Sequence, residues 1–131
     1  MDHYKYYDAV ELLGKIITEI KINESQAEVY ITTSDGIYEM YHSQDCCETV
    51  RIENVFGDPT KLIGDVLVVA HEDVLSNEYP DDVPTEERNS TDSFTYTIYT
   101  FATKTAEVKI RWLGTSNGYY SESVQITKIS Q

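Results

Sequence analysis

Strand-like patterning dominates the chain. From Ala27 to Thr33 (Ala-Glu-Val-Tyr-Ile-Thr-Thr) and from Ile37 to Tyr41 (Ile-Tyr-Glu-Met-Tyr), apolar and polar positions alternate with the period of two that buries one face of a strand. The two runs flank Ser34-Asp35-Gly36, and Asp-Gly between β-rich runs is a strong hairpin signal, because glycine takes positive φ at no steric cost. Val50, Ile52 and Val55 alternate with Arg51 and Glu53 in a further strand, and Lys15 to Ile22 alternates imperfectly. Asp65 to Ala70 is a near-continuous apolar run, as expected for a strand covered on both faces. Ser93 to Thr103 gives the clearest strand: threonines interleave with Phe94, Tyr96 and Ile98 before the apolar phase slips at Tyr99 and Phe101, as a β-bulge would make it do. Ala106 to Leu113 and Tyr119 to Ile129 follow, joined by Gly114-Thr115-Ser116-Asn117-Gly118.

Helical pattern is confined to two short turns. One runs from Asp8 to Leu13 and is closed by Gly14; the other has Asp58 at the cap, Pro59 at the first helical position and Gly64 at the end. Together these signals predict an α+β protein that is predominantly antiparallel β. Seven or eight strands should form a sandwich or partly open barrel with one or two short helical turns. A length of 131 residues, against roughly 150 per domain, predicts a single domain. Glu11 to Ile17 resembles Lys61 to Leu67 at a spacing of fifty. Two four-stranded halves would suit the length, but one seven-residue match is slender support for a repeat, and coincidence is the simpler reading.

Charge changes the picture next. Acids outnumber bases 23 to 10, a net charge of -13, which disfavours nucleic-acid backbones, since binding them needs clustered Lys and Arg. The segment from His71 to Asp92 carries Glu72, Asp73, Glu78, Asp81, Asp82, Glu86, Glu87 and Asp92 with Pro80 and Pro84, opposed only by Arg88. A stretch of that length and composition predicts an acidic, mobile, solvated loop. Met1 to Lys5 shows no basic segment leading into an apolar run, so no secretory signal is read there. The apolar run Val66 to Ala70 falls far short of the roughly 20 residues that span a bilayer, so no membrane association is expected. Adjacent Cys46 and Cys47 are poorly placed for a relaxed disulfide, which points to a reduced, cytoplasmic setting.

Two clusters carry candidate chemistry. His42-Ser43-Gln44-Asp45-Cys46-Cys47-Glu48 places an imidazole, two thiols and two carboxylates directly after a strand. His42, Cys46 and Cys47 are zinc-type ligands, but a structural site would need a fourth ligand from His71 or His3. The simpler reading makes the cysteines small buried hydrophobes, with Gln44, Asp45 and Glu48 satisfying turn amides. No metal or cofactor is assigned. The second cluster, Arg111 to Ser123, joins Arg111, Trp112, Tyr119 and Tyr120 to the exposed turn Ser116-Asn117-Gly118. It suits a nucleotide, a sugar or a protein partner, whose hot spots favour Trp, Tyr and Arg, and it equally suits a hairpin turn with cross-strand aromatics. No phosphate-loop, nucleophile-elbow or zinc-protease motif occurs.

Leu13-Gly14-Lys15, Thr32 to Gly36, Tyr41 to Glu48, Gly57-Asp58 through Leu62-Ile63-Gly64, and Arg111 to Glu122 form a string of blocks that resembles an uncharacterised family of small acidic proteins. That family is encoded mainly by tailed bacteriophages and prophages. The resemblance spans about Leu12 to Ile129, with Gln44 to Glu48 and Ser116 to Glu122 as its most specific parts, and it implies a setting inside the bacterial host cell, not a mechanism. The expectation that follows is a binding protein that engages or inhibits a host protein, with charge complementarity to a basic surface. Homo-oligomerisation is compatible with that role. The alternative is a nucleotide-type small-molecule binder using Arg111, Trp112, Tyr119, Tyr120 and the Asn117-Gly118 turn, and a Cys/His metalloprotein or enzyme ranks below both. Spatially, the blocks His42–Glu48 and Arg111–Glu122 are expected to meet at one end of the sheet, with Arg111 in salt-bridge reach of Asp45 or Glu48.

Overall fold

The computed structural model describes residues 6–130. Its eight strands are β1 (Ile17–Ile22), β2 (Glu28–Thr33), β3 (Gly36–Tyr41), β4 (Thr49–Phe56), β5 (Val69–Ser76), β6 (Ser93–Ala102), β7 (Glu107–Ser116) and β8 (Gln125–Ser130). They form two four-stranded antiparallel sheets, ordered β1-β2-β3-β8 and β4-β7-β6-β5, which face one another as a β-sandwich. Three short 3-10 turns (Ala9–Leu12, Pro59–Leu62 and Thr85–Glu87) are the helical elements among the described residues. Asp58 caps its turn with its side chain as the sequence suggests, while Asp8 caps through its backbone. The Asp8 amide donates to the Glu11 carboxylate, and the Asp58 carboxylate accepts from the Thr60 amide.

The two sheet orders are the same pattern written twice. Each half of the chain supplies three consecutive strands to one sheet and sends its fourth strand to the other sheet: β4 joins β7, and β8 joins β3. The echo at a spacing of fifty is part of this arrangement, which overturns the reading of coincidence. Ile16 and Val66 form a β-bridge, the Gly14 amide donates to the Leu67 carbonyl (2.9 Å), and the Gly64 amide donates to the Ile17 carbonyl (2.8 Å). The two hydrogen bonds exchange when the halves are exchanged. Gly14 and Gly64 sit at φ +85° and +92°, so each copy needs a residue without Cβ at the same place.

The core lies between the sheets, where Ile17, Val29, Ile31, Met40, Ile52, Tyr99, Phe101, Val108, Ile110, Trp112 and Ile126 are buried. Cross-strand register arranges it in rungs, one of them Ile22, Val29, Met40 and Ile126 in the first sheet. Several sequence expectations are corrected here. β6 pairs with β7 from Ser93 to Ala102 and with β5 from Thr95 to Ala102, in both cases without a bulge. Its apolar phase changes because Phe94 and Tyr96 are covered on the outer face while Tyr99 and Phe101 face the core. The bulges fall instead beside Ile17, Ile37 and Ile52. Asp65 to Val68 is not a doubly covered strand: β5 starts at Val69, and Val66, Val68 and Val69 are exposed. The last strand starts at Gln125 rather than Tyr119, because residues 119–124 cross between the sheets.

The acidic segment is not loop throughout. Its first residues form β5, and residues 77–92 fold over the outer face of the second sheet. Val83 packs there with Phe94 and Tyr96, and Tyr79 lies 4.4 Å from Phe94, centroid to centroid. Arg88 fastens the turn by donating to the carbonyls of Val83 and Pro80 at 2.9 Å each.

Gly114, cross-strand from Val50, is closely approached by the second crossing segment. A Cβ at this position would lie 2.7 Å from the Glu122 carbonyl oxygen and 2.8 Å from the Glu122 Cβ. Gly114→Ala is therefore expected to lower stability by about 1–3 kcal/mol, the usual cost of overpacking, in chemical denaturation followed by Trp112 fluorescence. An unchanged midpoint would mean that Glu122 is not held against this strand.

Candidate functional site

The two loops that carry the exchanged strands run side by side. Residues 42–48 join β3 to β4, and residues 117–124 join β7 to β8. His42 sits between them: Nδ1 donates to the Ser123 carbonyl oxygen (2.6 Å), and Nε2 lies 2.6 Å from the Glu48 carboxylate. Beside it the Ser43 amide donates to Oε1 of Gln125 (2.7 Å). Blocks distant in sequence thus meet at one end of the sandwich, and the residue that joins them is His42.

Each crossing is fastened by a buried glutamate. Glu48 accepts from the amides of Asp45 (2.8 Å) and Cys46 (2.9 Å) as well as facing His42, and Gln44 donates to the Glu48 carbonyl (2.7 Å). Glu122 accepts from the hydroxyls of Ser116 and Thr95 and packs on Gly114. In the turn between, the Ser116 hydroxyl accepts from the Gly118 amide and the Asn117 side-chain oxygen accepts from the Tyr119 amide, both at 2.9 Å. Tyr119, 83% exposed, meets Tyr120 edge to face at the tip. A cavity of about 290 Å³ is lined by Cys47, Thr49, Asp92, Thr115, Ser116, Asn117 and Tyr120, so members of both blocks share one surface.

The cysteines depart from expectation. Cys46 and Cys47 are exposed, and their sulfurs are bonded to one another. The Glu48 carboxylate gathers the amides just before it, and this curl brings two successive side chains together, so the segment is not a pair of buried thiols. Among the described residues no three His, Cys, Asp or Glu side chains are grouped to hold a metal ion. His71 pairs with Asp73, and His3 lies outside the described residues.

Arg111 is placed differently from the expectation that it binds Asp45 or Glu48. Successive residues of a strand point to opposite faces, so Trp112 enters the core while Arg111 lies under the 77–92 segment. They do not line one pocket. The Arg111 guanidinium donates to both oxygens of Glu53 (2.6 and 3.2 Å) and of Asp82 (2.7 and 3.2 Å), and lies over the rings of Phe56 (5.0 Å) and Tyr96 (5.5 Å). Burial works against its charge, but the hydrogen bonds to Glu53 and then Asp82 outweigh that and raise its pKa above the ordinary arginine value. The bulge after Ile52 sets Glu53 where it can reach Arg111. Glu53 and Asp82 carry no distinguishing local signal, since one is an ordinary strand acid and the other one of eight acids in its segment.

These features define a small acidic β-sandwich whose crossover loops are clamped by internal carboxylates. The chain belongs to the family described as a domain of unknown function (DUF7448), whose model matches residues 10–126. No curated protein and no solved structure matches it.

Two outcomes test the clamps. The hydrogen bond from His42 is the main cause that lowers the Glu48 pKa from 4.5 to about 2; burial opposes it, and the amides of Cys46 and Asp45 add to it. A carboxyl whose folded pKa is depressed stabilises the fold fully above its unfolded value and loses that contribution as pH falls through the folded one. Stability should therefore decline from about pH 4.5 towards pH 2, and Glu48→Gln should flatten that decline while lowering stability at neutral pH. Equal acid limbs for the two proteins in urea titrations would contradict the clamp. Arg111→Met should cost about 1–3 kcal/mol, less than a fully enclosed pair because the Asp82 side chain is 53% exposed. It should also speed proteolysis within residues 77–92, and intact cleavage resistance would show that Arg111 does not hold that segment.

Proposed function

We propose that the protein acts by binding a basic protein partner, and that in the phage setting implied by the sequence resemblance this partner is a nucleic-acid-binding protein of the bacterial host. The observation that carries this reading is how the 77–92 segment spends its charges. Arg88, its one base, is occupied by backbone carbonyls, and Arg111 beneath it is taken up by Glu53 and Asp82. Glu78, Asp81, Glu86 and Glu87 are left exposed on the outside. The segment therefore presents a surface of one sign on a packed support, the arrangement that speeds association with a surface of opposite sign.

The chemistry beneath the segment fits the same partner. A cleft of about 280 Å³ is lined by Tyr79, Phe94, Tyr96 and Leu113 together with the carboxylates of Glu53 and Glu87. Aromatic faces beside carboxylates suit a guanidinium or ammonium group, and two arginines of the chain itself already lie over Tyr79 and Tyr96 in this way.

The test uses the intact protein. An arginine-rich peptide and its glutamate-substituted counterpart are titrated at low and high salt, alongside retention of nucleic-acid-binding proteins from bacterial lysate. The basic peptide should bind, weaken steeply with salt, and lose at least about tenfold in affinity when Glu78, Asp81, Glu86 and Glu87 are replaced together by Gln and Asn. Binding that ignores salt or the four substitutions, or no retained basic protein at low salt, would overturn the proposal.

A further inference from the structure

The inner face of the second sheet is polar where the corresponding part of the first is apolar. In register, the rung Ile22, Val29, Met40 and Ile126 of the first sheet corresponds to Val74, Thr97, Trp112 and Ile52 of the second. The next rung sets Ile20, Ile31 and Tyr38 against Glu72, Tyr99 and Ile110. Thr97 thus stands where the first sheet has Val29, and Glu72 where it has Ile20. Ser76, Ser93 and Thr95 continue the polar face towards the strand ends.

These positions line a cleft of about 300 Å³ between edge strand β5 and the crossing segment from Tyr120 to Val124. That volume is at the small end of ligand pockets, which run from about 300 to 1,000 Å³. Thr97 is 2% exposed, lines the cleft, and its hydroxyl has no hydrogen-bond partner among the described residues. Across the rung, the buried indole N–H of Trp112 is likewise unpartnered. Among the described residues the Trp112 N–H is the enclosed polar group without a partner, whereas the Thr97 hydroxyl opens on the cleft, where a valine would have matched the other half of the chain. The carboxylates at the mouth are held in place: Glu72 accepts from the Tyr99 hydroxyl (2.9 Å), and Glu122 from Thr95 and Ser116.

We infer that this cleft binds an uncharged, polyhydroxylated ring, a sugar or the ribose of a nucleoside. Hydroxyls of Ser76, Ser93 and Thr97 both donate and accept, so they match a ligand's hydroxyls. Glu72 and Glu122 add acceptors and repel a phosphate, and the ring of Tyr120 supplies an apolar wall for the C–H face of a sugar. The site is separate from the basic-partner surface proposed above, since it lies on the opposite face of the same sheet.

The test is an amide-resolved NMR titration of the whole protein with glucose, a disaccharide, adenosine, glucose 6-phosphate and spermidine. At least one neutral compound should give saturable shifts at Thr95, Thr97 and residues 120–123, with the phosphate ester at least about tenfold weaker than glucose. Thr97→Val should keep or raise the melting temperature yet weaken the neutral ligand by about fivefold, the value of one lost hydrogen bond. Glu72→Gln, on the exposed edge strand, provides a second variant that should weaken binding in the same sense. The inference fails if no neutral compound shifts the cleft at tens of millimolar, if glucose 6-phosphate binds as well as glucose, if only spermidine binds, or if Thr97→Val leaves affinity unchanged.

Discussion

The exchange of fourth strands between the two halves is the constraint on which the rest of the molecule depends. β4 and β8 each complete the sheet of the other half, so the chain must cross between the sheets twice, at residues 42–48 and 117–124. A crossing segment leaves the sheet's hydrogen-bond ladder, and its amides then need other acceptors. Glu48 supplies them on one side, and hydroxyls held by Glu122 fix the other. The blocks that look most distinctive in the sequence, Gln44 to Glu48 and Ser116 to Glu122, are these crossings. Their polar residues serve chain reversal first. Any binding role at Tyr119 and Tyr120 is built on that frame.

Much of the fold was legible because its signals are local. Alternation in β2 and β3, the turn at Ser34-Asp35-Gly36, and the cap at Asp58 need only neighbouring residues to be read. Misreadings arose where one face of a strand is covered by something distant. β6 looked bulged because Phe94 and Tyr96 are buried by residues 77–92, a segment whose eight acids suggested solvent. The exposed valines 66, 68 and 69 looked like core because a run of apolar residues does not reveal which of them will be covered.

The candidate site was legible in part. That the two loop blocks meet follows from both sitting at strand ends, but the choice of partner does not. Arg111 was expected to seek Asp45 or Glu48, and the pleat sends it to the other face, where the bulge at Ile52 and the fold of residues 77–92 bring Glu53 and Asp82. His42 took the place expected for it. The cleft beside β5 was illegible for a different reason: Thr97 and Glu72 look ordinary in a strand, and become conspicuous only when the register sets them against Val29 and Ile20 of the other half.

The pairing of Gly14 with Leu67 and of Gly64 with Ile17 has a kinetic meaning as well. Neither half holds a complete sheet, so a nascent chain ending near Phe56 has β4 without its partner β7 and β3 without β8. The first half can pair β1, β2 and β3 on its own, but β3 and β4 reach their outer partners only when β8 and β7 are present. Closing loops of this length is entropically costly before any contact rewards it. The two halves are thus coupled in folding, with β8 completing the sheet begun by β1 and β4 the sheet begun by β5.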